Sequence, residues 1–203
     1  MKSLKSAQST VQTTMSSHHI VREKQEPALV VLGLDNFPDE LLGQLLEWSP
    51  TVIATANTAE LLVSKGTKID WIITDGTDEA LQPHVKLLSA GGGNLSDSAL
   101  KYLTENEYPS VNIVTDELNL DDYMHFANRI DLVIFHEHQK IYPVTSGFSK
   151  WKPAGDVIKL LGNADHLETK GLKKIDDHLY KTAGDGFFSL HFDAVFLFVA
   201  EEM

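Results

Sequence analysis

From Ala28 onward, short runs rich in β-branched residues alternate with amphipathic stretches, and that alternation limits the folds open to the chain. The runs are Ala28 to Leu34, Thr51 to Thr55, Trp71 to Thr74, Val85 to Ser89, Val111 to Thr115 and Leu132 to Phe135. Mostly continuous apolar runs of this length are the pattern of strands buried on both faces. Between them, Pro38 to Trp48 carries leucines at 41, 42, 45 and 46, and Ser98 to Glu105 carries Leu100 and Leu103, the spacing of helices with one apolar face. Strand and helix in turn predict a parallel sheet covered by helices, an α/β domain over residues 27–138.

Past His138 the texture changes. Ile141 to Val144, Trp151 to Pro153, Val157 to Leu161, Leu167 to Leu172, Leu179 to Tyr180, Phe187 to Phe192 and Ala194 to Ala200 are short extended runs broken by Gly, Pro, Asn and Asp. No helical period crosses them, so residues 139–203 are expected to form a small antiparallel β-sandwich domain. Phe188, Leu190 and Phe192 alternate with Ser189 and His191, which places His191 on the exposed face. Residues 1–26 are rich in Ser, Thr, Gln and Lys without apolar periodicity, and are expected to be a disordered or loosely attached tail. The adjacent His18 and His19 in that tail have no further ligands near them in sequence and carry no claim.

Composition excludes some functions. The formal charge of -12 disfavours nucleic acid and anionic membrane surfaces as partners, because both attract positive fields. No run approaches the roughly 18 to 20 apolar residues of a membrane span, and the N-terminus lacks a signal-peptide core, so a cytoplasmic location is the expectation. The absence of cysteine removes disulfides, thiolate zinc sites and thiol catalysis.

Chemistry is concentrated between residues 51 and 78. Thr51-Val52-Ile53-Ala54-Thr55-Ala56-Asn57 reads as a strand running into a helix; Gly66 then precedes Ile69-Asp70-Trp71-Ile72-Ile73-Thr74-Asp75, a second strand ending in a carboxylate. This order resembles the front of the thiamine pyrophosphokinases, whose motifs there are ADGGAN and GDFDS. The resemblance continues through Ala99-Leu100-Lys101-Tyr102-Leu103 and Val111-Asn112-Ile113-Val114. In the second half it takes in Lys150-Trp151-Lys152-Pro153-Ala154-Gly155, Gly171-Leu172-Lys173 and Asp185-Gly186-Phe187. It covers most of residues 28 to 203.

The resemblance implies an α/β domain that holds ATP and magnesium, a β domain that helps to bind thiamine, and a homodimer with thiamine between subunits. The implied reaction moves a pyrophosphoryl group from ATP to the thiamine hydroxyl, giving thiamine diphosphate and AMP. Such chemistry needs carboxylates, since magnesium must neutralise charge on the phosphoryl oxygens. Carried across residue by residue, the resemblance points to Asp75, Asp78 and Asp97 as magnesium ligands, with Asp75 and Asp97 catalytic. Thr55, Asn57, Asp78 and Ser96 fall around the nucleotide, and Trp151 falls against the substrate.

Several motif positions depart from the family. Thr55 stands where ADGG has its Asp, with Ala56 and Asn57 in place of glycines, so a hydroxyl replaces a carboxylate and β-carbons are added where backbone would approach phosphate. Thr77 replaces the second Asp of GDFDS unless Asp78 takes its part, and Asp75 with Asp78 could equally shape a turn around Gly76. Gly91-Gly92-Gly93-Asn94-Leu95-Ser96-Asp97 falls at the third acidic motif, and Asn94, Ser96 or Asp97 is expected to cap the following helix. Asn119 and Asp122 replace an arginine and a histidine of a fourth motif, and Tyr180 to Gly184 runs where a thiamine-binding Ser-Asn turn would stand.

These losses point to a thiamine pyrophosphokinase-like protein with reduced or lost catalysis, or to a noncatalytic ligand-binding or scaffold protein on the same fold. Other groupings have plain structural readings. His136-Glu137-His138 is expected on a solvated strand end, Asp116-Glu117 and Asp121-Asp122 in a charged loop, and Asp176-Asp177-His178 in a hairpin turn. Trp48 and Trp71 are expected in the core.

Overall fold

The protein is described from a computed structural model, which covers residues 24, 26–47, 51–74 and 84–203. The tail through residue 23, Trp48, Asp75 and Asp78 lie outside the described residues.

The first half folds as the alternation requires. Strands β1 (Ala28–Val31), β2 (Val52–Thr55), β3 (Trp71–Thr74), β4 (Lys86–Ser89), β5 (Ser110–Thr115) and β6 (Asp131–His136) are parallel, in the spatial order β4-β3-β2-β1-β5-β6. Helices α1 (Asp39–Leu46), α2 (Ala56–Ser64), α3 (Leu95–Glu105) and the single turn α4 (Asp121–Met124) connect them. Each longer helix starts for a local reason. Asp39 and Glu40 place negative charge in the first turn of α1, against the positive end of its dipole. A reciprocal pair of hydrogen bonds between Thr55 and Thr58 closes the N-terminus of α2. Asn94 caps α3, its side chain accepting from the Ser96 amide at 2.9 Å.

Apolar faces of these helices divide the core in two. Ala99, Leu100 and Leu103 of α3 pack with Tyr123 and Phe126 against one face of the sheet, including Val30, Ile53 and Ile113. Leu42 of α1 and Ala59 and Leu62 of α2 cover the other, over Leu29, Val31 and Ile72. Trp71 is half-buried, its ring 4.5 Å from that of Tyr102.

The second half differs from a self-contained sandwich. Strands β7 (Gln139–Val144), β9 (Val157–Leu161), β11 (Leu172–Asp176), β12 (Leu179–Thr182) and β14 (Leu197–Glu202) extend the first sheet, which reaches eleven strands among the described residues. Only β8 (Phe148–Lys152), β10 (Glu168–Lys170) and β13 (Gly186–His191) form a second, antiparallel layer. A two-residue turn at Glu137 and His138 folds β7 back onto β6, pairing Ile134 with Ile141, and this tight hairpin makes the sheet continuous. A third core of Val144, Ile158, Leu160, Tyr180 and Val199 from the large sheet meets Phe188 and Leu190 from the small one.

Leu167 to Leu172, expected as one strand, is two. Gly171 sits between β10 and β11 with φ of 73°, and the chain crosses there from the small sheet to the large one. A β-carbon at Gly171 would lie 2.7 Å from the Phe187 carbonyl oxygen, so the corner needs both the conformation and the missing side chain. His191 is exposed, as the alternation required.

Candidate functional site

Strand order reverses beside β1, which has β2 on one side and β5 on the other. Sheets of this kind bind ligands outside the carboxyl ends of their strands at such a switch point. A cavity of about 490 Å³ lies there, lined by Asp35 after β1, by Thr115, Asp116, Glu117, Asn119 and Asp122 after β5, and by Asn94 and Ser96 at the start of α3.

The crevice is built on backbone contacts. Asp116 accepts hydrogen bonds from the Asp35 amide at both carboxylate oxygens, each 3.1 Å away, tying the loop after β1 to the loop after β5. Thr115 donates to the Glu117 carbonyl at 2.8 Å, closing the turn that holds Asp116. Beneath them Tyr123 is buried, with its hydroxyl against those of Thr115 and Ser96; burial, followed by the charge of Asp122, pushes its phenol up to about 12. Ser96 itself donates to Asn94 Oδ1 at 2.7 Å. Carboxylates and hydroxyls line this space, and no Lys or Arg does so among the described residues.

The fold as a whole matches solved structures. A thiamin pyrophosphokinase from Geobacillus thermodenitrificans superposes with a TM-score of 0.66 at 10% identity, over 87% of this chain and 97% of that one. The chain has the thiamine pyrophosphokinase fold. The enzyme from Bacillus subtilis gives 0.59 at 14% identity over 88% and 99%, and yeast thiamin pyrophosphokinase gives 0.65 at 11% over 90% and 88%. No family model and no curated protein matches the sequence. At these identities the thiamine pyrophosphokinase fold survives while most of its side chains have changed.

Among the described residues, those expected at the nucleotide site lie on separate elements. Thr55 is 8% exposed, and its hydroxyl accepts from the Thr58 amide at 3.3 Å and lies 2.9 Å from Thr58 Oγ1. Thr58 in turn donates to the Val31 carbonyl at 2.8 Å, so the pair locks α2 onto the end of β1. Asn57 is exposed on the first turn of α2, and Asp97 is exposed on the first turn of α3. Of the expected nucleotide residues that are described, Ser96 alone lines the crevice. Among the described residues no group of three His, Asp or Glu side chains is arranged to hold a metal ion. Asp75 and Asp78, two of the three expected magnesium ligands, lie outside the described residues, and the hydroxyl at Thr55 is already spent on the helix cap.

Sequence reasoning passed over Asp35 and treated Asp116 only as part of a charged loop. The readable signal was position: Asp35 and Asp116 each follow the end of a buried strand, where a parallel sheet presents its functional side chains. Trp151 does not line the crevice and lies on the outer face of the small sheet, 54% exposed. It stands directly across from Phe187, which is 71% exposed, and the two rings form an aromatic platform open to solvent. His136, half-buried at the end of β6, places Nδ1 3.2 Å from the Thr115 carbonyl, and Asp177 with His178 occupies the β11–β12 turn.

Proposed function

We propose that this chain is a thiamine pyrophosphokinase-like protein that keeps a small-molecule binding role while its transfer of pyrophosphate from ATP to thiamine is reduced or lost. The observation that carries this reading is the use of Thr55, at the position of a magnesium-site Asp, as the buried cap of α2. The absence of a Lys or Arg from the crevice lining among the described residues, with Asn119 in the place of an arginine, supports it as well. When bound, magnesium would neutralise charge on the phosphates; the residues described at the crevice supply carboxylates to the ligand directly, which suits a cationic group better than a phosphate. Thiamine is an aromatic cation, and the Trp151–Phe187 platform offers it ring surface. A homodimer, joining the crevice of one subunit to the platform of another, and a cytoplasmic location belong to the same reading.

The second reading is a noncatalytic binding or scaffold protein, favoured by the same exposed aromatic pair, which suits a protein surface equally well. One experiment separates the two. Purified full-length chain is incubated with thiamine, ATP and magnesium, thiamine diphosphate is quantified, and thiamine binding is followed by calorimetry with a Trp151→Ala control. The proposal expects thiamine heat that Trp151→Ala abolishes, with little or no thiamine diphosphate. Turnover at the rate of an active kinase would overturn the loss of catalysis, and no thiamine heat would leave the scaffold reading standing alone.

A further inference from the structure

A second cavity, of about 560 Å³, lies over β6 and β7 beside the first strand of the small sheet, away from the switch-point crevice. Its lining is chiefly apolar, with Val133, Pro143, Val144 and Phe148 joined by the ring of Tyr142, which is 6.0 Å from that of Phe148. Its size is that of a small-molecule site. The charges it presents are those of Lys140, Lys150 and, on an exposed position, Asp131.

What distinguishes this groove is how the charges beneath it are shared. Glu201 of β14 is 5% exposed and accepts from Tyr142 at 2.5 Å and from Lys150 at 2.7 and 2.9 Å, with Lys152 3.1 Å away. Both of its oxygens are thereby taken. Lys152 is also neutralised by Asp156, 3.2 Å distant. Lys140 is the direct cross-strand partner of Glu201 in the β7–β14 ladder, so the two side chains leave the same face of the sheet. Yet Lys140 makes no ion pair among the described residues, because the carboxylate opposite it already serves two other ammonium groups. In a chain of net charge -12, a half-buried ammonium thus stands without an ion pair among the described residues, beside an apolar, aromatic floor.

We propose that this groove binds a small aromatic anion, its ring on Tyr142 and Phe148 and its carboxylate or phosphate paired with Lys140. The proposal is independent of what the switch-point crevice binds. An apolar ring covers the floor, and one negative charge completes the partnership that the ladder leaves open.

Isotope-labelled full-length protein titrated with benzoate, phenyl phosphate and benzylammonium tests it by amide chemical shifts. Benzoate or phenyl phosphate should shift the amides of Lys140, Tyr142, Val144 and Lys150 at millimolar concentration, and benzylammonium should not. A response to benzoate alone marks the natural ligand as a carboxylate, and a response to phenyl phosphate alone marks it as a phosphate ester. Lys140→Gln should weaken binding by about fivefold or more, the weight of one partly desolvated ion pair. Thr145→Trp, at an exposed rim position, should abolish the shifts by bulk without touching any charge. Equal response to benzylammonium, unchanged affinity in Lys140→Gln, shifts that map elsewhere, or no shift at all would each overturn the proposal.

Discussion

Gly33 and Asp116 meet so closely at the ends of β1 and β5 that a β-carbon on Gly33 would stand 2.1 Å from Asp116 Oδ2 and 2.7 Å from the Asp116 amide nitrogen. The contact is what lets the Asp116 carboxylate reach the Asp35 amide and shape the crevice. Gly33→Ala should therefore displace backbone as well as side chain and lower stability by about 1–3 kcal/mol, measured by urea unfolding. Gly43 is the internal control: on the exposed side of α1 with nothing within 4 Å, its replacement by Ala should raise stability by about 0.5–1 kcal/mol. Equal effects of the two substitutions would refute the role given to the Gly33 contact.

Thr55 and Thr58 form a closed unit, and their substitutions should report that. Thr55→Val removes the cap of α2 and should cost about 1 kcal/mol or somewhat more. Thr55→Asp should cost less, since aspartate is itself a good cap and its charge suits a helix N-terminus. Thermal melts of the two variants decide the matter: an Asp variant less stable than the Val variant would mean that the hydroxyl is not acting as a cap.

Glu201 ties the two layers of the β region together, and its ionisation should be visible in stability. Burial pushes its carboxyl upward, but hydrogen bonds from Lys150 and Tyr142 outweigh burial, leaving it below the ordinary value of 4.5. A lowered carboxyl contributes stability that is complete above the unfolded value and is lost as pH falls through the folded one, so the wild type should weaken below about pH 4.5. Glu201→Gln should flatten that acid limb. At neutral pH the same variant should cost about 2–4 kcal/mol, toward the lower end because the Lys150 side chain is 35% exposed and finds water. An acid limb as steep in Glu201→Gln as in the wild type would show that other carboxyls set it.

Burial raises Tyr142 first, assisted by its hydrogen bond to Glu201, and Tyr123 is held up at about 12 by burial and Asp122. Groups raised in the folded state add stability that is full below their unfolded value of 10.0 and is lost above it. An absorbance titration should therefore show that Tyr123 and Tyr142 remain neutral past pH 10 and ionise together with alkaline unfolding. Ionisation of all tyrosines near 10 in the folded protein would contradict their burial.

Trp151 and Phe187 should matter little to folding. Both are more than half exposed, and a cross-strand aromatic pair on an open face is worth under about 1 kcal/mol. Trp151→Ala and Phe187→Ala should each stay within that margin in chemical unfolding. A loss of several kcal/mol from either would mean that the platform is part of the structural core.

Much of this architecture is written locally. Six apolar runs separated by amphipathic stretches determine a parallel α/β layer, because strands covered on both faces are apolar throughout while their helices need only one apolar side, with β4 at the exposed edge. Asn94 as a cap and His191 as an outward residue follow from the same short-range logic. Only the tertiary structure decided that the β region continues the first sheet, that Gly171 divides one extended run between two layers, and that Asp35 and Asp116 share a crevice. It alone also showed Lys140 left over opposite a saturated Glu201. Each of these depends on which distant segments pair, and pairing is set by long-range register and close backbone approach, quantities that no window of neighbouring residues contains.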